Sequence, residues 1–575
     1  MFLNKQEIIG YFSDQINLID LQCEKALIAL ESCAKKDEEK NLVNTTRKLL
    51  ISKDFAKLQI FSNLVREKER SGEFLIDLTN PNENNFNNLT LHVDSNKTFN
   101  VNPNDLDFIQ RNINMKKFFL SHSNLKRIPG EIFRFMKSLN LLDIMCDKLI
   151  YLQENNFKHL ENLTCLRIHY CKIEFIETNA FSGLKSLREL DLYGNKIKKF
   201  GKGAFNDLEN LKYLNLSKNC IEILKDNTFN GLKSLHKLVL DENRIRNFGK
   251  EAFNDLENLK YLNLDRNCIE ILKDNTLSLL SNLEYLLLTD NPLSQIESDA
   301  FNGLKNLSFL DIGNSHRYWS TESLNFDSTV FQPCTGLKII NLGKNNVNLT
   351  SEYFNKLTSL QFLNIRHNMI DEINFLNKMQ NLEILDLQFI NTKEFNENFE
   401  KLCLPNLKFL VITCETVPRF NSSFSNLKGI HINRAKNFQN GAFVNLLNLD
   451  YFRLRTNDQK LVDKLEKESF KGLKSLKYFA FEINTYPYID LKDQLKDKES
   501  VFMSLLDPQI EIKPVLFYSN GSSSIKGEDF DFESKGSVNL KLLESDRIII
   551  FLFLHNAVMH FDYYNNEYYI KMKDN

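Results

Sequence analysis

The sequence has little of what marks membrane, nucleic-acid-binding or disulfide-rich proteins. Its 575 residues include 1 Trp, 10 Pro and 10 Cys, and 73 Lys and Arg nearly balance 75 Asp and Glu, for a formal net charge of -2. A balanced charge provides no overall field that would draw the chain to nucleic acid or to an anionic membrane surface. We therefore expect no nucleic-acid partner.

Long apolar segments are also missing. The longest run, IIIFLFL at 548–554, is far shorter than the roughly 20 residues that cross a bilayer. The first residues, MFLNKQEIIGYFSDQINLID, lack a basic stretch followed by an apolar run of ~7 to 15 residues. The cysteines are scattered through the chain, which favours reduced thiols. We expect no membrane span, no secretory signal and a cytoplasmic location.

Motifs of common catalytic and metal sites are absent from the sequence. It contains no G-x-x-x-x-G-K-[ST], no G-x-G-x-x-G after a strand, no H-E-x-x-H and no C-x-x-C. Cys165 and Cys171 flank His169, but Cys171 falls at a fixed repeat position and is interpreted as structural. We predict no catalytic residue, no cofactor and no metal site, and hence a protein that is not an enzyme.

What the sequence does contain is a repeat. GKGAFNDLENLKYLNLSKNCIEILKDNTF at 201–229 returns as GKEAFNDLENLKYLNLDRNCIEILKDNTL at 249–277, with 25 of 29 positions identical. A similar segment, SLHKLVLDENRIRNF, lies halfway between them, so the unit is 24 residues long. A stacked repeat tolerates such duplication because each unit contacts only neighbours like itself.

The unit has the frame L-x-x-L-x-L-x-x-N-x-L, and about sixteen units fit it. Their first positions, regular up to Leu307 and less regular afterwards, are Met115, Leu139, Leu163, Leu187, Leu211, Leu235, Leu259, Leu283, Leu307, Leu337, Leu360, Leu382, Leu407, Leu427, Leu449 and Leu476. Leu190 and Leu192 alternate with Asp191 and Tyr193, as in a short strand with one buried face. The Asn at the ninth position is expected to hydrogen-bond backbone groups where the chain leaves the strand.

Over residues ~115–485 this frame resembles that of leucine-rich repeat proteins. The 24-residue length and a Phe at the nineteenth position, as in Phe157 and Phe181, are similar to the "typical" subclass, which is common in extracellular receptors and matrix proteins. The resemblance implies an α/β-type solenoid, a leucine-rich repeat horseshoe with a parallel concave sheet. To it the sequence adds a helical N-terminal segment and an irregular C-terminal cap.

Four regions follow from these patterns. In residues 1–80, apolar side chains recur at intervals of three and four residues, which predicts helices. These helices are interpreted as a cap or small bundle, with a separate partner-binding or coiled-coil module as the alternative. Residues 81–114 are interpreted as a linker and N-terminal cap, 115–485 as the solenoid and 486–575 as the C-terminal cap region, with an independent domain as the alternative for the last.

One unit is longer than the others. Leu307 and Leu337 are 30 residues apart, and the extra residues fall in a segment that holds the single tryptophan, Trp319. Insertions in a repeat array usually form loops, and loops on a rigid scaffold often carry function. The alternative is a bulge that buries Trp319.

The candidate binding residues lie on the strands. The third position of each frame repeats aromatic side chains, and polar side chains run beside them, a combination found at binding surfaces. The candidates, with the tryptophan included, are Tyr213, Tyr261, Tyr285, Phe309, Trp319, Phe362, Asp191, Asn263 and Asp311. The alternative for the aromatic residues is lateral stacking between neighbouring strands.

The sequence thus favours a non-enzymatic scaffold or adaptor that binds a protein partner through the concave face, with partner and oligomeric state unassigned. The alternative is an extracellular or receptor-ectodomain-like protein in matrix or signalling recognition, which the subclass and nine N-x-[ST] triplets favour. The absence of cysteine-rich caps, which secreted members of the family usually carry, weighs against that alternative. An enzyme that captures substrate with the repeats and acts with a terminal segment is the third hypothesis.

Overall fold

The computed structural model describes residues 88–92, 116–121, 128–314, 323–390, 395–483, 515–518, 538–539, 558–562 and 567–571, with gaps at 129, 131–132, 134–135, 147, 459, 462–466 and 477. The predicted helical segment 1–80 and the Trp319 insertion lie outside these residues.

Within this part of the chain, one parallel sheet of 18 strands runs through the molecule. Every strand pairs with the one that precedes it in this series and the one that follows, so the chain advances by one strand per turn. The strands are Asn88–His92, Lys117–Ser121, Leu141–Met145, Cys165–Ile168, Glu189–Asp191, Tyr213–Asn215, Lys237–Val239, Tyr261–Asn263, Tyr285–Leu287, Phe309–Asp311, Ile339–Asn341, Phe362–Asn364, Ile384–Leu387, Phe409–Thr413, Gly429–Asn433, Tyr451–Thr456, Tyr478–Ile483 and Val515–Tyr518.

Each of the sixteen frame positions is followed two residues later by the start of one of these strands. The predicted parallel-sheet solenoid is therefore confirmed. The sheet also extends past both ends of the frame. Asn88–His92 lies in the stretch interpreted as linker and cap, and it pairs with Lys117–Ser121; Val515–Tyr518 lies in the predicted irregular cap, and it pairs with Tyr478–Ile483.

The other side of each turn is made of short strands, turns and single helical turns. The short parallel strands are Tyr151–Leu152, Phe175–Ile176, Lys199–Phe200, Ile223–Leu224, Asn247–Phe248, Ile271–Leu272, Gln295–Ile296, Asn325–Phe326, Asn348–Leu349, Met369–Ile370, Thr416–Val417 and Asn437–Phe438. The helical turns are Ser351–Phe354, Asn374–Lys378, Phe395–Phe399, Ser422–Phe424 and Lys467–Phe470. Near the C-terminus, Val538–Asn539, Val558–Asp562 and Glu567–Lys571 form a separate antiparallel sheet.

The core is a continuous column of leucine side chains between the two sides. Leu190, Leu192 and their equivalents in the turns that begin at Leu139 through Leu449 are fully buried, because alternate residues of a strand point to the same face. The Phe at the nineteenth position adds a second column. Phe157, Phe181 and Phe205 stack with ring centroids 6.1 and 5.9 Å apart.

In seven of the turns a buried asparagine at the ninth position links the turn to the previous one. Asn219 Nδ2 donates to the carbonyl oxygens of Leu216 (3.0 Å) and Leu192 (3.0 Å), and its Oδ1 accepts from the backbone N–H of Ile197 at 2.9 Å. Asn195, Asn243 and Asn267 repeat this pattern. The predicted role of the ninth position is confirmed, and it fixes the orientation of the strands that carry the site.

Candidate functional site

The candidate site lies on the side of the main sheet that faces away from the leucine core. We call this surface the sheet face; it consists of the third, fifth and seventh positions of each frame. Because the strands are paired in register, equivalent positions form rows across it. Tyr261, Tyr285 and Phe309 are directly opposite one another on neighbouring strands.

The sheet face carries a second apolar cluster, separate from the core. Its buried members are Val239, Tyr261, Leu287 and Phe309, against which Tyr213, Tyr285 and Ile339 pack as half-buried residues. The ring centroids of Tyr261 and Tyr285 are 6.3 Å apart, and those of Tyr285 and Phe309 are 6.1 Å apart. Four of the predicted aromatic residues are thus brought together. Phe362 continues the row beyond Ile339 but is not part of the cluster.

Lys237 interrupts the aromatic row and joins its two parts. It is the third-position residue between Tyr213 and Tyr261, and its Nζ lies 5.4 Å from the centroid of the Tyr213 ring and 4.7 Å from that of Tyr261. A lysine over aromatic faces is attracted by the ring quadrupoles. The sequence prediction missed this residue, although its place between two tyrosines in the row was the signal that could have identified it.

The predicted polar residues form the row beside the aromatic residues, at the fifth position. Asp191 is half-buried, whereas Asn263 and Asp311 are buried. The Asp311 carboxylate accepts from the Gly313 N–H at 2.9 Å and from Asn341 Nδ2 at 2.8 Å. Burial nevertheless raises the pKa of both Asp191 and Asp311 above the ordinary value. Each carboxylate accepts a backbone N–H at the end of its strand, from Tyr193 for Asp191 and from Gly313 for Asp311.

Asp265, at the seventh position, is a buried carboxylate that the sequence prediction did not single out. Its Oδ1 accepts from the Thr289 N–H at 2.6 Å. Burial, followed by the like charges of Asp311 and Asp241, raises its pKa well above the ordinary value. Beside the aromatic cluster the sheet face therefore carries carboxyl groups whose charged form is disfavoured by burial.

The eighth position borders the sheet face as a row of side chains on left-handed backbone. Lys218, Glu242, Arg266 and Asp290 all have φ between 51° and 59°. Their charges alternate, with Arg266 Nη1 3.2 Å from Glu242 Oε1 and Arg266 Nε 3.8 Å from Asp290 Oδ2. The left-handed turn aligns these side chains along one border, so the alternating charges pair with each other.

The residues around His169 have structural roles. Cys171 Sγ lies 3.7 Å from the Ile144 carbonyl oxygen and 3.5 Å from that of His169, the carbonyls that an asparagine reaches at this position. His169 Nε2 pairs with Asp143 at 2.8 Å, a hydrogen bond that raises the pKa of the imidazole. Burial raises the pKa of Cys165 to about 12, so the thiol is not a thiolate at neutral pH.

Two further thiols lie at the tenth position of the frame. Cys220 and Cys268, which follow the buried asparagines Asn219 and Asn267, are only partly buried. Both are free thiols, as are the other cysteines in the described part of the chain.

Neither a membrane-spanning helix nor a metal cluster occurs among the residues that the structure describes. None of the helices there has the length and apolarity to span a bilayer. No group of three or more His, Cys, Asp and Glu in the same residues is arranged to hold a metal ion.

Comparisons with known proteins agree with the repeat frame. The family model for the leucine rich repeat matches residues 137–197, 186–245 and 233–293. No curated protein matches the chain. A TLR13–ssRNA13 complex is similar at 26% identity and a TM-score of 0.53, over 71% of this chain and 58% of that one. A Leptospira interrogans leucine-rich repeat protein, LIC12759, is 22% identical with a TM-score of 0.49, over 70% and 91% of the two chains.

This chain thus spans 58% of the length of the TLR13 chain. The frame, the one-strand-per-turn parallel sheet and the family match lead to one conclusion: the chain is a leucine-rich repeat protein.

Proposed function

We propose that the chain is a non-enzymatic scaffold or adaptor that binds a protein partner through the sheet face, the face expected to be concave. The observation that carries this proposal is the second apolar cluster, which crosses six neighbouring strands and is separate from the leucine core. Aromatic side chains ringed by polar groups are the residues that dominate the energy of protein interfaces.

Within that face, three cluster members favour contact with a partner. Tyr213, Tyr285 and Ile339 are half-buried, so part of each side chain remains at the surface. Tyr261 and Phe309, each 3% exposed, pack against the ring of Tyr285 from the two neighbouring strands. The cluster therefore combines lateral stacking with an accessible apolar edge, and the two roles proposed from the sequence are compatible.

The expectation that nucleic acid is not a partner has no support beyond the net charge of the whole chain. One structural neighbour is a complex with ssRNA13. Net charge averages over local patches. The cluster itself is made of aromatic and aliphatic side chains, with the carboxyl groups of Asp265 and Asp311 beside it. This composition favours a protein partner over phosphates, which are bound by groups of Lys and Arg.

The test is the double substitution Tyr261→Ala with Tyr285→Ala, used as bait for proteins from the native cells. Loss of two central aromatic side chains should weaken capture of a specific partner by about tenfold or more. Tyr451→Ala is the matched control, because Tyr451 has the same frame position outside the cluster. Thermal unfolding first verifies that the variants are folded. Equal capture by wild type and the double variant would reject the cluster as the binding site.

We also propose a cytoplasmic location, with an extracellular protein as the alternative. Two of the N-x-[ST] asparagines are poor glycan acceptors in the folded chain. Asn215 is buried on the sheet face, and Asn421 Nδ2 donates to the carbonyl oxygens of Glu400 and Leu402. The test is endoglycosidase treatment of the full-length protein from native cells, combined with fractionation. A downward mobility shift would reject the cytoplasmic location.

A further inference from the structure

A polar groove lies at the beginning of the strands in the first turns, away from the apolar cluster. It has a volume of about 600 Å³, within the range of ligand sites. Lys116, Arg188 and Lys212 line it with the hydroxyl residues Ser138, Thr164 and Ser186 and with three asparagines. The described lining contains no Asp or Glu and no aromatic residue.

The three cations differ from others in the same row. All occupy the second frame position, where three lysines of later turns are paired with carboxylates. Lys260 Nζ lies 2.9 Å from Glu284 Oε1, Lys408 Nζ 2.9 Å from Glu383 Oε2, and Lys428 Nζ 3.6 Å from Asp450 Oδ2. At the groove, the second-position neighbours of the three cations are Asn140, Thr164 and His236, none of which is a carboxylate.

Consequently, no carboxylate in the described part of the chain neutralises the positive charges at the groove. Among the residues that the structure describes, none forms an ion pair with Lys116, Arg188 or Lys212, and all three side chains are exposed. An open groove lined by three such cations attracts an anionic ligand.

Hydrogen bonds between neighbouring turns hold the polar side chains that line the groove in place. Thr164 Oγ1 donates to the Asn140 carbonyl oxygen at 3.0 Å, and Asn162 Nδ2 donates to that of Lys137 at 2.9 Å. Asn210 Nδ2 does the same with Lys185 at 2.8 Å. These bonds fix the positions of hydroxyl and amide groups that both donate and accept, which suits a peptide backbone.

The spacing of the cations also suits a peptide. Lys116 and Arg188 are three strands apart, or about 14 Å at ~4.8 Å per strand, and Lys212 is one strand further. In an extended chain, side chains four residues apart are separated by ~13 to 14 Å. Single-stranded nucleic acid, in contrast, is usually bound by aromatic side chains on which the bases stack, and the described lining has none.

We propose that this groove binds an acidic peptide segment of a partner protein, with carboxylates four residues apart held by Lys116 and by Arg188 together with Lys212. The site is independent of the sheet-face proposal, because it uses different residues on different frame positions.

The test measures binding of a fluorescent eight-residue probe with aspartates at its second and sixth positions to the full chain, by anisotropy. The same peptide with asparagines is the control probe. Arg188→Ala with Lys212→Ala should weaken binding by about tenfold, since the two cations together hold one of the two carboxylates. Lys260→Ala is the matched control variant, as this lysine has the same frame position but is already paired. Circular dichroism verifies the fold of each variant.

Selective binding of the aspartate probe that depends on Arg188 and Lys212 but not on Lys260 would support the proposal. Equal binding of the two probes, or equal losses in the two variants, would overturn it. An oligouridylate of eight nucleotides is run in parallel. If it binds with the same dependence on Arg188 and Lys212 and the aspartate probe does not, the ligand is a nucleic acid and the peptide assignment is wrong.

Discussion

In seven turns, a single buried asparagine carries hydrogen bonds that hold two neighbouring turns together. The sequence predicted that the ninth position bonds backbone groups, but not that its partners belong to two different turns. Cys171 shows that a thiol can occupy this position, with longer contacts of 3.5 and 3.7 Å. The position therefore selects a side chain that reaches the carbonyls at the strand end.

Asn219→Ala tests this role. The substitution leaves the Leu192 and Leu216 carbonyls and the Ile197 N–H without their side-chain partner. Because unpaired buried polar groups cost ~1 to 3 kcal/mol each, we expect the free energy of unfolding to fall by about 2 to 4 kcal/mol. Urea denaturation measures it. Asn210→Ala, which removes one exposed hydrogen bond, is the control, and an equal loss there would contradict the prediction.

Asp265 is expected to destabilise the fold at neutral pH. Its pKa is raised in the folded state, so its contribution is most favourable below the unfolded pKa of about 3.9 and is lost as pH rises toward the folded pKa. Asp265→Asn should therefore raise the melting temperature at pH 7 and raise it less at pH 4. Melting curves of both proteins at the two pH values measure this difference. A variant that is less stable at pH 7 would show that the ionised carboxylate is stabilising.

At the scale of the element, the phenylalanine column shows how one side chain per turn is repeated into a structure. Phe205 and Phe229 stack at 6.1 Å, and Phe229 and Phe253 at 6.4 Å. The next turn has the buried Leu277 at this position, and the column resumes at Phe301. The nineteenth frame position therefore requires a large apolar side chain, which is usually a phenylalanine.

Phe205→Ala should open a cavity in this column and destabilise the chain by ~3 to 5 kcal/mol. Phe205→Leu is the matched control, because Leu277 occupies the equivalent position two repeats beyond Phe229, and it should cost less. Urea denaturation of both variants measures the difference. If the two variants lose the same free energy of unfolding, filling of the column by a large side chain does not stabilise the chain.

At the scale of the molecule, the stability of the array is expected to be a sum over neighbouring turns. Residues 225–248 are one complete unit, since 225 and 249 are equivalent points of the frame. Their removal joins Leu224 to Gly249, which has the same frame position as the deleted Lys225, so the repeat frame continues without interruption. The deletion removes the packing of one turn on its neighbours, and equivalent packing can form between the two turns that it joins.

Deletion of 225–248 should give a folded protein whose circular dichroism spectrum keeps the shape of the wild-type spectrum. Its free energy of unfolding should be lower. Deletion of 225–236, half a unit, should unfold or distort the array, since it places polar residues at leucine positions. Spectra and urea denaturation of the two proteins test this contrast. Equal tolerance of both deletions would be inconsistent with a frame that sets the fold.

The sequence by itself determined the period, sixteen of the 18 strands of the main sheet and the core. Each of these depends on contacts between equivalent residues one unit apart, so the pattern of Leu, Asn and Phe in one repeat specifies its packing on the next. The strand Asn88–His92 was missed because Phe86, Leu89, Leu91 and Asp94 match the frame only in part.

Only the tertiary structure decided which surface side chains act together. The position of Lys237 between two tyrosine rings, the burial of Asp265 and the grouping of Lys116, Arg188 and Lys212 in one groove depend on where side chains from several strands point and on what covers them. A repeat frame leaves these positions variable. Their chemistry is therefore set by neighbours across the sheet, which the linear sequence does not place in contact.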